Sequence, residues 1–224
     1  MDLYSREWFE NHKQAFAKMY FQNDYSITGI SIPMNNRTPQ LIKDKEEKYD
    51  KNEKIDLLWI AAWKMGRLNE QGEPDFNNGI ILNGYGKEII GLEDYINNIN
   101  CKKIKELIKS ENLAAAFNEL ANDSPTNFGT VYIINLMHFI SEGKIPIYDK
   151  FAHKAVKAIF AEVNANKIYV GGPPEKRKVT DAINMLNEYI WLLEKVFGKS
   201  NIDRQTDRAL WVYGHADKIF DGNF

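Results

Sequence analysis

Cysteine is almost absent from this chain: Cys101 stands alone among 224 residues. A single cysteine excludes an internal disulfide and any cysteine-rich zinc site. It also leaves no ligand set for an iron–sulfur cluster. Histidine is scarce, with four scattered residues and no HExxH spacing, so nothing points to metal-centred chemistry. Long apolar runs are missing too. None approaches the roughly 18–20 residues that a membrane span needs. The opening MDLYSREWFENHKQ holds no apolar stretch followed by a small-residue cleavage site, so no secretory leader is expected. These absences point to a reduced, cytoplasmic setting with no membrane, no metal and no cofactor. They give no sign of an obligatory protein partner.

What is present suits a folded globular chain. Hydrophobic residues make up 44% and charged residues 27%, enough for one sizeable core. Residues 1–224 read as a single helical domain. If it divides, the expected lobes are about 1–100 and 101–224. The formal net charge is −2, so a purely electrostatic nucleic-acid binder is not expected. Charge is unevenly placed, however. Residues 1–100 carry 12 basic and 16 acidic groups, whereas Lys144 to Lys178 carry 8 basic and 3 acidic. That stretch is the one suited to phosphate, and its bland reading is a solvated lysine-rich face.

The periodicity is mainly helical. Residues 3–20 place Trp8, Phe9, Phe16 and Tyr20 at amphipathic spacing. Residues 21–36 read as loop with one short extended piece. Thr38-Pro39 suits the opening of a helix to about Tyr49. Residues 53–67 predict a core helix ending near Gly66, and residues 70–91 a glycine-rich irregular connection. Helices are expected at 101–109, at 111–121 with Ser110 as N-cap, at 129–141, at 150–163, from Thr180 to Phe197, and from Asp203 through ALWVYG. The stretch 129–141 is the most apolar, so it should be buried on most sides. The fold class is mainly α, with about nine helices and little or no sheet.

One segment says more: NDSPTNFGTVYIINLMHFISEGKIPIYDKFAHKAV. It runs turn, Gly129, buried helix, loop, Pro146-x-x-Asp149, then a basic amphipathic helix. Asp149 follows Gly129 by 20 residues, and His153 and Lys154 stand four and five places beyond it. In order and spacing this resembles the catalytic core of the helix-hairpin-helix DNA glycosylase superfamily. IPIYDKFAHKA and DRALWVYG are similar to bacterial members with an 8-oxoguanine-glycosylase-like fold. The resemblance covers about 40 residues.

It implies a helix-hairpin-helix bundle in which Asn127, Gly129, Thr130, His153 and Lys154 contact the DNA backbone. Asp149 is the implied catalytic carboxylate, and the closing C-terminal helices line a base pocket. Candidates for that pocket are Tyr148, Trp211, Tyr213 and Trp63. The chemistry is coherent. Breaking an N-glycosidic bond builds positive charge on the sugar, which a fixed carboxylate stabilises. A helix opening at Gly129 aims N–H groups at phosphate without a basic surface. A flipped base needs an aromatic or apolar wall.

The departures narrow the expectation. Relatives usually read L-P-G-V-G at the hairpin, whereas this chain has Thr126-Asn127-Phe128-Gly129. Asn127 is the residue able to supply the left-handed turn that a glycine would. Bifunctional members carry a lysine nucleophile two residues after the hairpin glycine. Here that residue is Val131, so no lyase step is expected there. The expected function is a monofunctional glycosylase acting on a flipped modified base (oxidised, alkylated or phage-type hypermodified), in DNA repair or anti-phage defence. The alternative is a non-catalytic helical module, binding DNA or protein, that kept the scaffold. A metal-dependent nuclease is the weakest reading, since no paired-carboxylate motif stands out.

Every singled-out residue also has a plain structural role. Asp149 suits an N-cap. The aromatics suit a core, and His138 suits a hydrogen-bonded core position. Lys64 and Arg67 complement a helix C-terminus. Asp203, Arg204, Asp207 and Arg208 read as surface i, i+4 pairs. Lys176, Arg177 and Lys178 read as a basic loop able to track DNA.

Overall fold

The computed structural model describes residues 3–20 and 56–215. The expected loop at 21–36, the helix opened by Thr38-Pro39 and the first residues of the 53–67 helix lie outside the described residues. Among those described, the chain is mainly helical, with nine α-helices, one 3-10 turn and one two-stranded antiparallel sheet. No helix among them is long and apolar enough to cross a membrane.

The helices are α1 (Arg6–Met19), α2 (Leu57–Met65), α3 (Leu92–Asn97), α4 (Cys101–Lys109), α5 (Leu113–Asn122), α6 (Thr130–Ile140), α7 (Lys150–Ala161), α8 (Val179–Phe197) and α9 (Arg204–His215). The strands are β1 (Ile80–Leu82) and β2 (Glu88–Ile90), with Ile81 opposite Ile89. The sheet occupies part of the stretch read as irregular. Its short period-2 pattern, with Ile81 and Ile89 buried between more exposed neighbours, is masked in sequence by the surrounding glycines.

Local chemistry sets the boundaries. Ser5 caps α1 and Asp56 caps α2, each accepting an N–H three residues on. Gly66 ends α2 at φ 69°, a conformation that glycine adopts without a Cβ penalty. Ser110 does not open α5. It closes α4, and Asn112 opens α5 by accepting the Ala115 N–H, because Glu111 at φ 58° breaks the helical path between them. Thr180 lies inside α8, not at its cap. Asp203 stands before α9 and accepts the Thr206 N–H.

The chain forms two compact units, and neither is a continuous half. Among the described residues the first comprises 3–20, 148–172 and 186–215, and the second 56–147 and 173–185. The boundary therefore falls away from residue 100. In the first unit α9 packs against α1 and α7 around buried Phe9, Phe16, Ala155, Leu193 and Tyr213. The α7–α9 crossing is close. A Cβ on Gly214 would lie 1.9 Å from the Phe151 carbonyl oxygen. In the second unit α6 is the central helix, packed by α2, α4 and α5. Its Ile133, Ile134, Leu136 and Met137 are fully enclosed.

Candidate active site

In the second unit, α5, a seven-residue connection and α6 form a helix-turn-helix pair. Asn127 takes the left-handed conformation, φ 67°, in the role expected of it. Its side chain holds that turn down: Nδ2 donates to the Glu88 carbonyl at 2.9 Å, while its own carbonyl accepts from Asn83 Nδ2 at 3.1 Å. Phe128 is fully buried between the rings of Tyr95 and Tyr132. Gly129 is the N-cap of α6 with extended backbone and no side-chain cap, and a Cβ there would meet nothing within 4 Å. Neither φ nor crowding demands glycine at this position; what glycine gives is open access to the first turn of α6.

Two expected backbone contacts in this unit are used internally. Thr130 is buried, and its hydroxyl donates to the Pro174 carbonyl at 2.6 Å. Lys176 belongs to the basic loop, yet its ammonium donates to Ser124 O, Ser124 Oγ and Pro125 O, each at 2.7 Å. Burial, then the Arg177 charge, lowers its pKa. It is a brace for the turn, which leaves exposed Arg177 and Lys178 as the solvent-facing cations of that run. Arg67 is likewise a brace. Its guanidinium donates to Leu82 O and Asn83 O at 3.2 Å, which fixes the tip of the β-hairpin. Trp63 is buried, stacked on Trp59 and edge-on to Phe139, so within this unit it is core.

Asp149 lies in the first unit, half-buried at the head of α7. As the N-cap it accepts the Phe151 N–H on Oδ1 at 2.8 Å. Behind it is a buried polar row. The Tyr148 hydroxyl and His153 Nδ1 are 3.2 Å apart, and His153 Nε2 faces Glu188 Oε2 at 3.8 Å. The opposite oxygen of Glu188 accepts from Lys157 at 2.7 Å. Burial pushes the His153 imidazole down to about 4, against the raising effect of Glu188, so it is neutral near pH 7. A carboxylate opposite Nε2 favours the proton on that nitrogen. Nδ1 is then the acceptor and Tyr148 the donor. Tyr148 is held protonated by burial and by the Asp149 and Glu188 charges.

His153 is therefore a core group, not a backbone contact: it is 1% exposed, and a buried neutral imidazole offers phosphate no charge. Lys154, the next residue, is half-buried on α7. Of the expected pocket residues in this unit, Tyr148 and Tyr213 are fully buried. Tyr213 packs on Phe16, Phe9 and Trp8, which makes it core as well. Trp211 differs. It is half-buried and packs on His215, whose ring stacks on Phe151 at 3.4 Å. Trp211, His215 and Phe151 thus form a half-exposed aromatic column that ends two residues from Asp149.

Two residues passed over in sequence, Tyr189 and Tyr85, and one read as a surface residue, Asp207, belong to this description. Asp207 is not on the surface. It is 9% exposed and paired with Arg204; its i, i+3 spacing to Arg204 reads equally well as surface or buried. Tyr189 is fully enclosed, and among the described residues its hydroxyl has no hydrogen-bond partner. Burial raises its pKa, and the charges of Asp207, Asp149 and Tyr148 add to that rise. In the second unit, Tyr85 stands 81% exposed on a tip tied by Asn83 Oδ1 to the N–H groups of Tyr85 and Lys87. The Gly84 N–H donates to the Tyr132 hydroxyl on α6. Among the described residues no group of three or more His, Cys, Asp or Glu side chains is placed to hold a metal ion. Comparison of the chain with family models, curated proteins and solved structures gives no match.

Proposed function

We propose that this protein is a monofunctional DNA glycosylase that removes a modified base by hydrolysis of its N-glycosidic bond. The observation that carries the reading is Asp149: a half-buried carboxylate at the head of α7, followed two residues later by the half-exposed Phe151–His215–Trp211 column. A carboxylate beside an aromatic surface suits a sugar that gains positive charge while its base stacks on a ring. The second unit supports the same reading. Its uncapped α6 N-terminus, approached freely at Gly129, suits a backbone phosphate, and the exposed Tyr85 suits a nucleobase face.

In the proposed reaction Asp149 stabilises the oxocarbenium-like sugar as the C1′–N bond breaks. Water then supplies the oxygen at C1′. Val131 offers no amine, so no Schiff base forms there and the backbone stays uncut. Aldehyde-reactive labelling of oxidised, alkylated, deaminated and glucosylated DNA, before alkali and without metal, tests the proposal. The expected result is label on one DNA class with wild type and none with Asp149→Asn. Silence on every class would reject it.

The second reading is a non-catalytic binding module. What favours it is the use of Asp149 Oδ1 as a helix cap, together with the enclosure of Tyr148, Tyr213 and Trp63. DNA affinity without any release of base would select it.

A further inference from the structure

The second unit holds a cavity that the proposed reaction does not use. Its volume is about 440 Å³, and it lies where α3, the start of α4 and the end of α5 meet. That size falls within the roughly 300–1,000 Å³ of small-molecule sites. The floor is apolar, lined by the Tyr95 ring, Ile99 and Leu120. Its polar atoms are already used, since the Tyr95 hydroxyl donates to the Leu120 carbonyl at 2.7 Å. The mouth is acidic and reached directly from solvent. Asp94 and Asp123 line it from exposed positions, and Glu119 joins them half-buried.

The lining suits a cation, and an organic one. Asn98 is the C-cap of α3 and Asp123 that of α5, so two helices end at the cavity with their negative poles. The opposite pole, at the start of α4, is closed by Asn100, whose Oδ1 accepts the Lys103 N–H at 3.1 Å. An alkylammonium already stands at this rim: Lys103 Nζ lies 2.6 Å from Glu119 Oε1. Among the described residues the Asp94 and Asp123 carboxylates have no such partner. The three carboxylates do not converge into a group placed to hold a metal ion, and a hard ion needs several oxygens on one centre. A chain bearing amino groups needs only separate contacts, and its methylenes lie well on apolar surface, as a lysine stem does.

We propose that this cavity binds a linear aliphatic polyamine, with ammonium groups on Asp94 and Asp123 and the methylene chain on Tyr95, Ile99 and Leu120. Asp149 belongs to the other unit, and the proposal does not rest on the glycosylase reading.

Isothermal titration calorimetry of the whole chain with spermidine, at low salt, tests it. The expected result is saturable binding of one molecule. Asp94→Asn and Asp123→Asn should each weaken it about fivefold, the upper range for an exposed ion pair, and the double variant about 25-fold, as for independent contacts. Both residues are exposed, so these variants should melt close to wild type. Glu175→Gln removes an exposed carboxylate that does not line the cavity and should leave the affinity unchanged. Mg²⁺ at matched ionic strength should not displace spermidine. Absence of saturable binding, or full affinity in the double variant, overturns the site. An equal loss in Glu175→Gln overturns it too, because the binding is then to surface charge at large. Displacement by Mg²⁺ overturns the assignment to an organic cation.

Discussion

His153 shows how burial decides the role of a residue. A histidine four places after the candidate carboxylate suits a phosphate contact on paper, but here it is neutral and enclosed, and it accepts from Tyr148. The pH consequence follows from its depressed value. The folded state disfavours the charged form, with a pKa of about 4 against 6.5, so the stabilising contribution is complete above pH 6.5. It is lost as pH falls from 6.5 towards 4. The loss amounts to about 3 kcal/mol across that window. Melting curves should show wild type falling steeply there, with His153→Gln, already weaker at pH 7, falling less. Parallel pH profiles would contradict this role. Gly214 makes the matching case for size. Gly214→Ala forces a Cβ onto the Phe151 backbone and should cost about 3 kcal/mol or more in urea unfolding. A loss under 1 kcal/mol would show that α7 and α9 separate more readily than their packing implies.

At the scale of elements, the α5–α6 turn joins backbone conformation to access. Gly129→Ala meets no neighbouring atom and should cost at most about 1 kcal/mol, the usual range for a change at an N-cap. It should nonetheless weaken binding to duplex DNA severalfold in fluorescence anisotropy, because a methyl group then stands at the open first turn of α6. Equal affinity would remove α6 from the proposed DNA interface. Asn127→Ala is the contrasting change. It puts a residue ill suited to φ 67° in the turn and deletes the bond to Glu88, so stability should drop by about 1–2 kcal/mol.

These elements also show what could be read in advance. The helices at 101–109, 129–141 and 150–163 match α4, α6 and α7 closely, since apolar spacing and caps are local signals. Asn127 was legible for the same reason: few residues other than glycine accept that conformation. The β-hairpin was hidden because three-residue strands are too short to show alternation. The depth of Asp207 and Tyr189 was hidden because burial of an i, i+3 ion pair or a lone phenol depends on which helices later enclose it. Trp63, Tyr148 and Tyr213 went the other way, since an aromatic at helical spacing carries the same pattern in a core as in a pocket.

For the molecule as a whole, charge constrains how the proposed function would hold DNA. With a net charge of −2 and Lys176 and Arg67 spent as internal braces, affinity has to come from helix termini and aromatic faces more than from lysines. The dependence of log Kd on log salt should therefore be shallow, with a slope of magnitude below about 4, as for four or fewer neutralised phosphates. A slope near 8 would indicate a basic surface that this account does not contain.

The central claim is that Asp149 supports hydrolysis of a glycosidic bond, and the most direct test is mass spectrometry of the bases released from modified DNA. Wild type should liberate one class of free modified base and leave the strands intact, and Asp149→Asn should liberate none. Release by the variant at the wild-type rate, or no free base from wild type on any DNA, would contradict the account.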